Sequence, residues 1–234
     1  MKHYLENIKN IEKQIDTVFS DKEHLLTAIT HSSYANQFKN VDYNERLEFL
    51  GDSVLQLCIT EYLFNNYKQK SEGDLTKLRS LIVCENSLYE IALTWGIGRH
   101  MRMSRGEELT GGRDRVSIQA DCVEAVIAAV YLDKGIDYVT DFILKSFKET
   151  ISKAINQEIV LDYKTALQEK LQKDGEVEID YELVKYEGPP HRRKFYTKVV
   201  INNKVMGEGN GYSKKESEQS SAKEALLKLE EIHE

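Results

Sequence analysis

Proline is almost missing from this 234-residue sequence. Only Pro189 and Pro190 are present, side by side, and the first 188 residues contain none. A chain of this length ordinarily carries roughly a dozen prolines. Proline breaks helix interiors and central strands, so its scarcity permits long uninterrupted elements. It also excludes collagen-like, proline-rich and loop-dominated disulfide scaffolds. Cysteine is scarce as well. Cys58, Cys84 and Cys122 are an odd number without Cys-x-x-Cys spacing, each within an apolar or helical pattern, and read as buried thiols. The longest plain apolar run, Ala125 to Leu132, is far too short to span a bilayer. The opening Met1-Lys2-His3-Tyr4 lacks the apolar core of a signal peptide. A reducing, cytoplasmic setting is the expectation.

A hydrophobic fraction of 41% with 30% charged residues fits a folded globular protein and not a disordered chain. The length suits one or two domains, each with its own core. The formal charge of −7, from 32 basic and 39 acidic residues, argues at first against a polyanionic partner. Its distribution says otherwise. Residues 1–162 hold 19 basic and 25 acidic side chains, a net of −6, whereas residues 185–228 hold ten basic and five acidic, a net of +5. Two surfaces of opposite sign are averaged in the total.

Residues 1–155 read as successive helices. Leu5, Ile8, Ile11 and Ile15 recur at three and four, as do Leu47, Leu50, Val54 and Cys58, and Val123, Val126 and Val130, continued with interruption by Phe142. Ser71-x-x-Asp74 and Ser87-x-x-Glu90 are expected to cap two new helices. Gly96, Gly98, Gly106, Gly111 and Gly112 gather the breaks into one stretch. Residues 152–162 lose their patterning, and a linker is placed at 154–161 between an all-α domain (1–153) and a second module (162–232). That module reads as a short helix from Tyr163 to Lys173, with Leu167 and Leu171 on one face, then strands over Glu178–Tyr186, Phe195–Ile201 and Lys204–Gly211. A last helix follows, capped by Ser213-Lys214-Lys215-Glu216, with Ala222, Ala225, Leu226 and Leu229 inward. The order α-β-β-β-α makes an α+β unit.

The informative stretch is Asn44-Glu45-Arg46-Leu47-Glu48-Phe49-Leu50-Gly51-Asp52-Ser53-Val54-Leu55. On a helix, Glu45, Glu48 and Asp52 fall within about a 60° arc. Several carboxylates on one stripe of an apolar helix repel one another, and burial makes their ionised forms harder to keep. A solvated face would relieve this with cations at i±4, but only Arg46 is near, roughly 100° away from Glu45. Asp121 and Glu124 repeat the arrangement on a second apolar run, Ala120 to Ala129. Four carboxylates without histidine or cysteine form a hard, oxygen-only donor set that suits Mg²⁺ or Mn²⁺. Two such ions would clamp the attacking and leaving oxygens of a phosphodiester. Exposed acids on solvated helices are the plain alternative, and spacing alone leaves open whether the two helices meet.

At these residues the sequence resembles bacterial ribonuclease III. The run Asn44 to Leu55 is close to that family's most diagnostic motif. The likeness continues in His31-Ser32-Ser33-Tyr34-Ala35-Asn36, Ser71-Glu72-Gly73-Asp74-Leu75, Gly106 to Ser117 and Ala120 to Asp133, and covers essentially the whole chain. The resemblance implies that Glu48, Asp52, Asp121 and Glu124 are the metal-binding catalytic carboxylates, with Glu124 the most directly chemical. It places Glu45 and Glu72 in a catalytic valley in supporting roles. Gln119 departs from the family, which usually has an apolar residue there, and points away from the metal site.

The α-β-β-β-α tail resembles a double-stranded-RNA-binding domain, which reads A-form shape across successive minor grooves and the phosphates between them. The matching positions are Thr165, Gln168 and Glu169 on the first helix. His191 lies in the Gly188-Pro189-Pro190-His191 loop, which the paired prolines stiffen. Lys214 and Lys215 stand at a helix N-terminus, where backbone N–H groups also favour phosphate. Cations there oppose the helix dipole and so need another reason to be present. Glu218 stands where many such domains carry a third basic residue; Arg192, Arg193 and Lys194 either offset that loss or are simply exposed strand-edge charges. Arg102, Arg105, Arg113 and Arg115 surround the glycine-rich stretch of the first domain and are weaker candidates for backbone contact.

The resemblance implies an Mg²⁺-dependent endoribonuclease, Mn²⁺ able to substitute, that hydrolyses double-stranded RNA to 5′-phosphate and 3′-hydroxyl ends. It also implies roles in processing rRNA precursors, mRNA and other structured RNAs, and a C₂ homodimer whose twofold-related sites match the two strands of a duplex. Two other classes compete. One is a duplex-RNA scaffold with a degenerate nuclease domain, which would ordinarily have lost an acid. The other is a metal-dependent nucleotide phosphohydrolase, which leaves the basic module unexplained.

Overall fold

The structure is a computed structural model describing residues 2–38, 40–156, 163–172, 177–189 and 193–231. Contacts divide the chain into two units, Met1–Ile159 and Val160–Glu234, each with its own buried core. The first is helical: α1 (Lys2–Gln14), α2 (Lys22–Ala28), α3 (Ser32–Ala35), α4 (Glu45–Asn66), α5 (Glu72–Ile82), α6 (Glu85–Trp95), α7 (Arg105–Leu109), α8 (Val116–Lys134), α9 (Ile136–Ser146) and α10 (Lys148–Ile155). Helix α8 is apolar nearly all round, as a helix without a solvent face must be. Every residue from Ile118 to Val130 is buried except Asp121 and Glu124. Helices α2, α4, α6 and α9 pack around it. The residues spaced at three and four supply the core: Ile8, Ile11, Ile15, Val54, Cys58, Val123, Val126, Val130 and Phe142 are buried, with Leu47 and Leu50 at its edge. Cys122 is also fully buried, and all three cysteines are free thiols. Among the described residues no helix is long and apolar enough to cross a membrane.

Helix α5 opens on the expected capping box, Ser71 and Asp74 exchanging bonds with each other's backbone. The box expected at Ser87-x-x-Glu90 is not there. Helix α6 begins three residues earlier, after Cys84, and Ser87 is buried inside it, donating to the carbonyl of Leu81 at 2.8 Å. Glu90 pairs with Lys153 instead of turning back. The hydroxyl thus satisfies the preceding helix's end rather than its own helix's start. The expected linker is also shorter at its N-terminal side. Ala154 and Ile155 belong to α10, because Ile151 and Ala154 are buried on that helix's inner face. Residues 157–162 lie outside the described residues.

The second unit comprises α11 (Tyr163–Gln172), β1 (Ile179–Glu187), β2 (Lys194–Ile201), β3 (Lys204–Gly211) and α12 (Lys214–Glu231), with an antiparallel sheet in the order β1-β2-β3. Strand β2 alternates as expected, Thr197, Val199 and Ile201 facing inward. The turn into β3 is Asn202-Asn203, both at positive φ, as a tight two-residue hairpin requires. Glycine at every second position of β3 lets α12 lie directly on the strand. A Cβ at Gly207 would sit 2.3 Å from the Ser221 carbonyl oxygen, and one at Gly209 would sit 2.1 Å from the Ser221 nitrogen. Small side chains at Ser217, Ser221 and Ala225 complete this close contact, all buried. At the start of α12, Ser213 accepts from the Glu216 N–H at 3.1 Å, while Glu216 reaches back to the N–H of Tyr212 at 2.6 Å.

Candidate active site and basic face

The carboxylates converge because α4 and α8 touch backbone to backbone. A Cβ placed on Gly51 would lie 1.9 Å from the carbonyl oxygen of Glu124. Glycine in a helix interior costs about 1 kcal/mol relative to alanine. Here its missing side chain is what lets Glu48 and Asp52 stand opposite Glu124. The openings in the α8 wall are Asp121 and Glu124 themselves. All four acids are partly exposed, on helices whose other facing residues are largely buried and apolar.

Electrostatics ties them together. Burial raises the carboxyl pKa of Glu48, and the charges of Asp121, Glu45 and Asp52 raise it further. Glu124 is pushed up to about 8, chiefly by burial, then by Asp52, Glu48 and Asp121. Asp121 is raised by burial and by Glu85, against a smaller lowering influence of His31. Asp52 accepts a hydrogen bond from Gln56 at 2.7 Å. Burial and three neighbouring like charges thus make Glu124 the carboxyl of this cluster whose ionised form is hardest to keep.

Glu45, on the first turn of α4, joins the cluster through its effect on Glu48. Glu72 stands elsewhere, on the first turn of α5, accepting from Thr76 at 3.1 Å and lining a separate cleft with Thr60, Phe64, Lys70 and Arg79. Three contributors were not legible from the spacing. Gly51 acts through a contact with another helix. Glu85 was hidden by expecting its helix to start at Ser87. His31 lies within the His31-to-Asn36 run, whose spacing gives it no partner. Its Nδ1 accepts from the Ser33 N–H at 3.3 Å and meets the Ser33 hydroxyl at 2.8 Å, while that hydroxyl accepts from the Ser104 N–H at 3.0 Å. The ring is thereby braced against the loop that follows His100.

Among the described residues, no three histidine, cysteine or acidic side chains are grouped tightly enough to hold a metal ion as they stand. The donor chemistry nevertheless fits a hard divalent cation. The available donors are oxygen only, from half-buried like charges whose repulsion a cation would remove.

The glycine-rich stretch mostly holds itself together. Arg113 donates to the carbonyls of Gly98 and Met101 at 2.9 and 2.8 Å and pairs with Glu108, while Arg115 pairs with Glu107 at 2.9 Å. Arg102 lies over the Tyr34 ring at 4.3 Å. Arg105 is exposed at the start of α7. Gln119 is buried and donates to the Arg113 carbonyl at 2.8 Å, so the polar departure at this position anchors the loop.

In the second unit, Thr165, Gln168 and Glu169 are exposed on α11, and Lys214 and Lys215 are exposed on the first turn of α12. Pro190, His191 and Arg192 lie outside the described residues, while Pro189 is exposed after Gly188, whose φ is +93°. Arg193 stacks on Tyr186 at 4.6 Å, and Lys194 lies 5.7 Å from the Tyr196 ring. Glu218 pairs with Lys164 at 2.7 Å.

A carboxylate-lined helical domain joined to an α-β-β-β-α module is the architecture of a nuclease with its own nucleic-acid-binding unit. The ribonuclease-III-like family pattern matches residues 21–151, and the double-stranded RNA binding motif matches residues 163–229. The chain is 70% identical to ribonuclease 3 of Clostridium beijerinckii over 97% of its length and 98% of that protein's. It is 60% identical to ribonuclease 3 of Clostridium tetani, over 98% and 97%. Its fold matches the nuclease domain of ribonuclease III from Campylobacter jejuni with a TM-score of 0.57 and 40% identity, covering 61% of this chain and 97% of that one. The chain belongs to the ribonuclease III family, endoribonucleases that cleave double-stranded RNA in RNA processing.

Proposed function

We propose that Glu48, Asp52, Asp121 and Glu124 hold Mg²⁺ and carry the hydrolysis of duplex RNA, with Mn²⁺ able to substitute and 5′-phosphate and 3′-hydroxyl ends as products. The observation that carries this reading is the Gly51–Glu124 contact, which sets two carboxylates of α4 against two of α8. When bound, the metal supplies Lewis acidity and lowers the pKa of water. The chain's own part is to release the Glu124 proton, orient the four carboxylates and keep the surrounding wall dry. Glu45 adds negative charge at the mouth of the cleft. Thr165, Gln168, Glu169 and His191 contact the minor grooves, and Lys214 and Lys215 the phosphates. Purified full-length protein with a long RNA duplex tests this: cleavage with Mg²⁺ and intact duplex in EDTA is expected, and equal cleavage in both removes the metal from the reading.

The working unit in this reading is a C₂ homodimer in the cytoplasm. Helix α4 exposes Phe49, Leu57 and Phe64, at 79%, 57% and 69%, on the side away from its buried face. Three large apolar groups along one helix are a surface that a second copy would cover. The Campylobacter jejuni nuclease domain is described as flexible in a region involved in dimer formation. Two sites related by a twofold axis match the local symmetry of the two RNA strands. Free thiols at Cys58, Cys84 and Cys122 support a reducing compartment. Sedimentation of Phe49→Asp is expected to show monomer where the unaltered protein is dimeric; an unchanged dimer would move the interface elsewhere.

A further inference from the structure

Glu218 reads from the sequence as a missing cation on an RNA-binding helix. In the structure it has a different occupation. Its Oε2 lies 2.7 Å from the Nζ of Lys164, the second residue of α11. The next residue, Gln219, accepts at Oε1 from the backbone N–H of Lys164 at 3.3 Å. That amide is one of the first-turn donors that a helix leaves without an internal partner. The Lys164 ammonium also lies 4.2 Å from the centre of the Tyr181 ring on β1. One residue at the head of α11 is thus held by two side chains of α12 and one of the sheet.

We propose that Glu218 and Gln219 are positioning residues for duplex-RNA recognition, clamping the head of α11 to α12 and so fixing the spacing between Thr165 and Gln168 on one helix and Lys214 and Lys215 on the other. The proposal rests on the reading of this face as the RNA-binding one. Lys164, Thr165, Gln168, Lys215, Glu218 and Gln219 line a single cleft between the two helices. On its own helix Glu218 has Lys214 at i−4 and Lys215 at i−3, the usual partners for an exposed glutamate. Among the described residues it pairs with neither, and both lysines remain exposed. The clamp therefore also keeps the phosphate-binding charges available. Its own charges cancel, so it adds geometry rather than attraction. Duplex RNA is distinguished from DNA by groove spacing and 2′-hydroxyls, whereas attraction to phosphate is shared by both. A loosened clamp loses the first and keeps the second.

Binding of the full chain to RNA and DNA duplexes of equal length and sequence, in EDTA, tests this. Glu218→Gln and Gln219→Ala are each expected to lower the preference for RNA over DNA by about five- to tenfold, within the range of a coupling between touching residues. The exchange Lys164→Glu with Glu218→Lys restores the pair in reverse and is expected to return the preference to within about twofold of the starting value. An unchanged preference in both single variants overturns the proposal. So does tighter RNA binding by Glu218→Gln at constant preference, which would make Glu218 a simple charge deficit, and so does an exchange no better than Glu218→Gln alone. Failure of the underlying reading looks different: Lys214→Ala with Lys215→Ala would then bind RNA as the unaltered protein does.

Discussion

The carboxylates of the first unit and the lysines of the second are both sets of like charges, but they are held in opposite ways. Glu48, Asp52, Asp121 and Glu124 stand half-buried where α4 meets α8, and burial is the first cause of the raised pKa of Glu48, Asp121 and Glu124. Lys214 and Lys215 stand in solvent at a helix end. Repulsion in low dielectric is strong and local, while repulsion in water is weak and screened by salt. In the proposed reading, the first set takes up a small, highly charged ion at one place, and the second meets a polyanion loosely over a surface. That reading lets a chain of net charge −7 handle RNA, with a cation answering four of its acids and the basic second unit meeting the phosphates.

The comparison is broken most strongly at Glu124. Glu124→Gln is expected to lower single-turnover cleavage of an RNA duplex in Mg²⁺ by about 10³-fold while leaving binding within about twofold. A cleavage rate close to that of the unaltered protein would remove Glu124 from the chemistry. Gly51→Ala comes next. Its Cβ has no room against the Glu124 backbone, so the helices must part, lowering stability by about 1–3 kcal/mol and activity by about 100-fold. Urea unfolding and the same cleavage assay measure the two effects, and an alanine variant equal to the parent in both would mean the contact is not needed. In the second unit, Lys214→Ala with Lys215→Ala is expected to weaken RNA binding about tenfold near physiological salt and to flatten the log K against log salt slope by about 2. A slope that does not change would place the phosphate contacts elsewhere.

The smallest effect is the most diagnostic of burial. The folded pKa of Glu124, about 8, lies above its ordinary value of 4.5. Its protonated form therefore contributes stability that is complete below the ordinary value and is lost as pH rises through 8. Without divalent cations, Glu124→Gln is expected to gain about 2–4 °C in Tm over the unaltered protein between about pH 5 and pH 9. Excess Mg²⁺ should reverse the order, because a bound cation stabilises only the ionised site. A melting difference that is flat with pH would show that Glu124 is well solvated.

Much of this was legible residue by residue. The buried faces of α1, α4 and α8 follow from apolar spacing at three and four, because a helix presents one side to its neighbours whatever they are. Strand β2 follows from its alternation, and the cap at Ser71 from two side chains three residues apart. What escaped depended on contacts between distant segments. Ser87 has the composition of a cap, but its hydroxyl answers the Leu81 carbonyl. Glu72 stands on α5, and only the packing of α5 beside α4 puts it in a cleft with Thr60 and Phe64. Glu218 looks like a lost cation until Lys164 is found beside it.

Local pattern by itself determined the helical first half, the α-β-β-β-α second half, and the four acids that no neighbouring cation on their own helices relieves. These follow from periodicity and charge, which act over a few residues along the chain. Only the tertiary structure decided that α4 and α8 meet at Gly51, that Glu85 and His31 reach Asp121, and that Gln119 anchors a loop. The two prolines divide in the same way. Their absence from residues 1–188 suits unbroken helices, a local matter, whereas Gly51 and the glycines of β3 matter because of what lies across from them. Close approach of two backbones depends on the partner's position, and no one-dimensional spacing contains that position.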